Sequence, residues 1–256
     1  MFPDLFGVPG LTMSLLVVLG VLVAVTIIVL YLRKFINSKV NYIDLVIVFI
    51  VTLISALIFS VLVENLYESI KNAVYGSPQS WTWSQTFYGG VFGGVIAFVL
   101  MYKFFYLKSN ENILGELLIV APAAISLGHA IGRIGCFFNG CCYGIETDKW
   151  YGILFPDHLH KVIPTQLLEA GFLFILGIVL LVLAFKKRSK YNLPIYFLSY
   201  GLFRFLIEFI RGDERGQLRF LSPSQYWSII LIAAGIALIV FYIRNSKKVI
   251  EKWNYL

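Results

Sequence analysis

The chain has 256 residues, of which 59% are hydrophobic and 14% charged, with a mean hydropathy of +0.82. Soluble domains carry roughly 25% charged residues, so this composition excludes an ordinary water-soluble domain. The excess of 21 Lys and Arg over 14 Asp and Glu sits between apolar runs, as in membrane loops, and does not form a nucleic-acid patch.

In chain order, the opening MFPDLFGVPG lacks the basic start and small-residue cleavage site of a signal peptide, so the first apolar run is expected to be retained. About 20 mostly apolar residues cross a bilayer. Seven such runs are read, at 11–32, 43–63, 86–106, 113–131, 163–185, 193–211 and 224–243. The expected fold is an all-α integral membrane protein with seven transmembrane helices, a single polytopic domain over 1–256. The unbroken apolarity of LTMSLLVVLGVLVAVTIIVLYL argues against a porin-like barrel, whose segments of about 10 residues alternate. There is no internal repeat and no low-complexity tract.

Alternating the sides puts Arg33, Lys34, Lys39, Lys103, Lys108, Lys186, Lys187, Arg188, Lys190, Arg244, Lys247, Lys248 and Lys252 together, thirteen against seven opposite. By the positive-inside bias the thirteen are cytoplasmic, the N-terminus is outside, the C-terminus is inside, and 132–162 is a small extracytoplasmic loop region.

Polar residues inside apolar helices are costly, so they mark interior or ligand-facing positions. Helix three opens with FYGGVFGG, whose glycine pairs permit close helix packing or backbone approach; Tyr88 there reads locally as an interfacial tyrosine. The segment GHAIGRIGCFFNGCCYG, 128–144, carries glycines too frequent for a stable helix interior and is expected to be a helix end opening into a loop. Within it Arg133 is either an interfacial anchor or a fork for phosphate, and Asn139 offers a donor and an acceptor.

Pro164 can start a helix, on which Gln166 and Glu169, three apart, share one face as caps or ligand contacts. Tyr200, Arg204, Glu208 and Arg211 fall within about 80° of one helix face. They read either as a structural ion pair with a snorkelling arginine or as a stripe whose spare positive charge suits a phosphate.

Cys136, Cys141 and Cys142 leave three readings open. With His129 they could bind metal, although C-x4-C-C is not a zinc-ribbon spacing; Cys136 could pair with either neighbour; or one could be a nucleophile activated by Arg133 or His129. His158 and His160 read as solvated loop residues.

The run Gly132-Arg133-x-Gly135-x-Phe137-x-Asn139-Gly140-x-x-x-Gly144 resembles the signature of the bacterial prolipoprotein diacylglyceryl transferases. FYGG resembles that family's F-H-G-G. Pro164-x-Gln166-x-x-Glu169, Tyr200-Gly-x-Phe-Arg204-x-x-x-Glu208-Phe-x-Arg211 and Leu221-Ser222-x-x-Gln225 follow in the family's order, so the likeness covers about 86–230.

The resemblance implies a multi-pass enzyme of the bacterial plasma membrane, its site facing the extracytoplasmic side, that needs no cofactor or metal. It would move the diacylglyceryl group of phosphatidylglycerol to the lipobox cysteine of a preprolipoprotein, releasing glycerol phosphate. Its partners would be that phospholipid, the preprolipoprotein signal peptide and membrane lipids, not nucleic acid. Arg133, Arg204 and Tyr88 would be catalytic, while Gly132, Asn139, Gly144, Gln166, Glu169, Tyr200, Glu208 and Arg211 would bind substrate. The chain departs from the family pattern at Tyr88, where the family has histidine, and at Cys136 and Cys141, where it has Asn and Glu, making the three cysteines a variant site. A paralogue with another acceptor and a transporter are the competing readings, the second lacking an inverted repeat.

Overall fold

A computed structural model describes residues 10–36, 40–75, 81, 86–106, 113–156, 158–212 and 221–245. The described residues form seven helices: α1 (Leu11–Ile36), α2 (Tyr42–Tyr75), α3 (Phe87–Tyr106), α4 (Leu114–Phe138), α5 (Thr165–Lys187), α6 (Asn192–Ile207) and α7 (Pro223–Arg244), with a 3-10 turn at Glu208–Ile210 after α6. Six of them are long and apolar enough to cross a membrane; the described apolar part of α3, Gly89–Phe105, is shorter. Among the described residues the only β-pairing is isolated bridges.

Three expected boundaries move. Helix α2 continues to Tyr75, beyond the end of the expected 43–63 run. Along that extension Asn65 Nδ2 donates to the Val61 carbonyl at 2.8 Å and Ser69 Oγ to that of Asn65 at 2.7 Å. Helix α4 runs through Gly132, Arg133, Gly135 and Cys136 to Phe138, so the loop region begins at 139, not 132. Tertiary packing against α1 overrides the low helix propensity of Gly128 and Gly135. A Cβ on Gly128 would lie 2.7 Å from the Gly20 carbonyl oxygen of α1, and one on Gly135 would lie 3.4 Å from Met13 and Leu16. Helix α6 stops at Ile207, so Arg211 is extended rather than helical.

The chain divides into two compact units, 36–113 and 1–35 with 114–256. In the first, α3 lies against α2 through its glycine pairs: a Cβ on Gly89 would meet the Phe59 carbonyl oxygen at 2.5 Å, and one on Gly93 the Phe59 side chain at 2.4 Å. Ser55 Oγ donates to the Gly93 carbonyl at 3.1 Å. Of the two readings of FYGGVFGG, these glycines take the one of close helix packing.

In the second unit, α4 and α5 are the most buried helices, with Val120, Ala123 and Ala124 of α4 and Leu173, Leu180 and Ala184 of α5 fully buried. One end is tied by Glu116, which accepts from Tyr31 Oη at 2.7 Å and pairs with Arg188. Beside it Asn192 Nδ2 donates to the carbonyls of Ile119 and Leu180, both at 2.9 Å. Arg133 lies 17 positions beyond Glu116, about 25 Å along the helix.

The 139–164 connection folds back as a small cap. Gly144 bridges to Arg211, and both Glu146 and Ile153 bridge to Val162, over the buried side chains of Phe155 and Val162. Gly144 is required there, because a Cβ would come within 2.7 Å of the Ile210 carbonyl oxygen and 2.8 Å of Ile163 Cβ.

Candidate active site

Two ion pairs form the centre of the second unit. Arg133, from the last third of α4, donates from Nη2 to Glu169 Oε1 of α5 at 3.0 Å. Glu169 is fully buried and also accepts from Tyr200 Oη of α6 at 2.9 Å. A carboxylate at this depth is tolerated only because a guanidinium and a phenol answer its charge. One turn along α6 from Tyr200, Arg204 pairs with Glu208 at 2.7 Å and donates to Ser224 Oγ of α7 at 2.9 Å. Glu208 accepts in turn from Ser222 Oγ at 2.7 Å. Ser222 and Gln225 form the capping box that starts α7, so the helix start and the ion pair are one construction.

Each arginine has its own carboxylate, and the two pairs are linked through Tyr200, which donates to Glu169 and lies one turn from Arg204. Arg204 and His129 are near enough to Glu169 to act on it electrostatically. The ion-pair reading of the α6 stripe holds for Arg204 and Glu208, but Arg211 does not continue the stripe. It is carried by the Gly144 bridge toward the cap, within hydrogen-bonding reach of the Cys142 thiol. Arg133 and Arg204 are each paired with one carboxylate, Glu169 and Glu208, while Arg211 lies toward the cap. Arg133 Nε is buried and has no hydrogen-bond partner among the described residues, leaving one donor of its fork available to a ligand. Beside it, a Cβ on Gly132 would meet no described atom within 4 Å.

Gln166, expected as a cap or a ligand contact, reaches the loop after α4. Its Nε2 donates to the Cys141 carbonyl at 2.6 Å, while Thr165 Oγ1 donates to that of Cys142 at 2.8 Å. The start of α5 therefore fixes the cap. Asn139 is the first residue after α4; its side chain is exposed and reaches toward the Cys141 thiol. Cys136, Cys141 and Cys142 are half-buried, are not joined by a disulfide, and bring their three sulfurs within 4.8 Å of one another. Hydrogen bonds from Cys136 and Cys141, reinforced by the Arg211 guanidinium, hold the Cys142 thiol below the ordinary thiol range.

Tyr88 lies in the first turn of α3, in the other compact unit, and its side chain falls outside the described residues. Sequence reasoning weighed His129 only as a partner of the cysteines, not beside the ion pairs. It stands four before Arg133 on the same face of α4, its ring edge-on to Tyr200 at 5.5 Å, and that i, i+4 spacing was the available signal. Ser224 was also missed, since no charge or motif singles it out.

A family model described as prolipoprotein diacylglyceryl transferase matches residues 6–241. The chain is 40% identical over 138 residues to phosphatidylglycerol–prolipoprotein diacylglyceryl transferase 2 of Clostridium perfringens (strain 13 / Type A), a match covering 52% of this chain and 54% of that one. It is 38% identical over 150 residues to the phosphatidylglycerol–prolipoprotein diacylglyceryl transferase of Clostridium tetani, covering 55% and 58%. With the protein of the same name from Dehalococcoides mccartyi (strain 195) it shares 33% over 152 residues, covering 57% and 58%. The chain spans about half the length of the curated relatives it matches. No solved structure matches it.

Proposed function

Because this chain belongs to the prolipoprotein diacylglyceryl transferase family, we propose that it transfers the diacylglyceryl group of phosphatidylglycerol to the thiol of a lipobox cysteine. In that reaction the thiol gives up its proton, a carbon–sulfur bond forms at the glycerol carbon, and the bond from that carbon to the phosphate oxygen breaks. Glycerol phosphate leaves with the bonding electrons. The chemical demand is therefore stabilisation of negative charge growing on a phosphate in a place with little water.

The observation that carries the reading is that Arg133 pairs with Glu169 while Arg204 lies one turn from Tyr200, whose hydroxyl donates to the same carboxylate. In this reading the two arginines clamp the leaving phosphate, and Glu169, Glu208 and Tyr200 hold the guanidiniums in place. A guanidinium has five donors, so a carboxylate partner leaves it able to fork onto phosphate. Gly132 gives the head group room, Asn139 contacts its polar oxygens, and Gly144 and Gln166 support the cap that Arg211 joins. Tyr88 acts as the proton or hydrogen-bond partner where the family has histidine. Seven helices span the bacterial plasma membrane with the N-terminus outside, the site opens toward the extracytoplasmic leaflet, and the signal peptide and phospholipid enter laterally. The thirteen to seven asymmetry of basic residues supports that orientation.

Complementation tests the reading. A bacterial strain depleted of its own diacylglyceryl transferase should regain lipid-modified lipoproteins when this chain is expressed. Membrane insertion without any lipoprotein modification would count against the thiol acceptor and favour a paralogue with another one.

A further inference from the structure

The three cysteines take no part in the reaction just described, and their arrangement calls for its own account. Cys136 lies in the last turn of α4, while Cys141 and Cys142 follow the turn at Gly140, whose φ is +69°. Cys142 has a φ of +68°, and among the described residues only it and Arg188 combine a side chain with a positive φ. A β-carbon makes that conformation unfavourable. Here it accompanies a turn that brings Cys142 back beside Cys136.

The backbone is held at all three positions. The Cys136 carbonyl accepts from the Cys141 N–H at 3.2 Å, and those of Cys141 and Cys142 accept from Gln166 and Thr165. These bonds fix the sulfurs from two helices, so their proximity is not left to a loose loop.

Three sulfurs bound at about 2.3 Å to one ion lie roughly 3.8–4.0 Å apart. The three here are within 4.8 Å of one another, so side-chain rotation of less than 1 Å closes the triangle. Sulfur donors select soft ions, and a filled-shell ion imposes no geometry that three ligands would violate. A divalent ion on three thiolates leaves one negative charge, and Arg211 stands beside Cys142 to offset it.

We infer that Cys136, Cys141 and Cys142 form a three-thiolate site for one thiophilic filled-shell cation of the Zn(II) or Cu(I) class. Binding displaces the remaining thiol protons to solvent and changes no oxidation state. The site is separate from the proposed transfer chemistry, so its test does not depend on that reading.

The test is titration of the full chain, purified in detergent and reduced, with Cd(II) and separately with Cu(I). One equivalent should raise a thiolate-to-metal charge-transfer absorption and take the alkylation-reactive thiols from three to none. Losing a neighbour that merely orients a ligand costs roughly 10- to 100-fold in affinity, so Cys136→Ser, Cys141→Ser and Cys142→Ser should each weaken binding by more than about 100-fold. The wild-type thiol-protection count stands without any variant, and elution of the variants as a single species shows that they remain folded. Absence of binding by the reduced chain, thiols left reactive at one equivalent, or folded single variants within about tenfold of wild type would each overturn the site.

Discussion

Arg204 shows how a single side chain carries both structure and the proposed chemistry. Its guanidinium reaches Glu208 and Ser224 together, a geometry that a lysine ammonium, as a point charge, cannot reproduce. Arg204→Lys should leave a folded protein with transfer slower by about 10²-fold or more, the usual cost of removing one donor from a charge-stabilising site, and Arg133→Lys should behave alike. Initial rates on labelled phosphatidylglycerol check both, and near-wild-type rates would remove the clamp.

Glu169→Gln separates support from chemistry. Breaking a buried pair by removing one partner costs about 3–5 kcal/mol, so the variant should unfold at clearly lower temperature in detergent. Unchanged unfolding would mean that Arg133 does not depend on Glu169. Tyr88→Phe loses one hydroxyl and should slow transfer by about 10²-fold if that residue handles a proton; full activity would make it an interfacial tyrosine. The arginines were legible in the sequence because a charge in an apolar run demands a reason. The Arg204–Glu208 pair was legible from its spacing of four, whereas the carboxylate that Arg133 takes was not, since Glu169 comes from another helix.

At the scale of the helices, glycines divide into those that pack and two, Gly132 and Gly171, where a Cβ would meet no described atom within 4 Å. A Cβ on Gly20 would lie 2.5 Å from the Gly128 carbonyl oxygen, whereas one on Gly132 would meet no described atom within 4 Å. Gly20→Ala should therefore destabilise the protein by about 1–3 kcal/mol through overpacking. Gly132→Ala should be neutral or slightly stabilising, because alanine favours a helix, yet should impair transfer if the phospholipid head group uses that space. Thermal unfolding and activity measured on the same preparations check the contrast; a Gly132→Ala variant that is both stable and fully active would show that the space is not used.

Helix existence was legible from apolar length alone, while the α4 end was not. Propensity reads Gly128, Gly132 and Gly135 as breakers, but contact with α1 makes small residues at 128 and 135 an asset. The sequence singled out the three cysteines but not which of its readings their geometry favours. Their sulfurs come within 4.8 Å beside a positive φ at Cys142 and two bonds from the start of α5, neither of which linear spacing reveals.

For the whole molecule, orientation decides which leaflet can supply substrate. A cysteine introduced in 186–190 should be labelled by a membrane-impermeant reagent only after the cytoplasmic face is opened, and labelling in intact cells would reverse the proposed topology. The most direct measurement is incubation of the purified chain in phosphatidylglycerol vesicles with a lipobox peptide, the lipid labelled in both its acyl chains and its head-group phosphate. The account predicts that acyl label enters the peptide as a thioether in step with release of labelled glycerol phosphate. Acyl label reaching the peptide without release of glycerol phosphate, or no transfer by a folded chain, would contradict it.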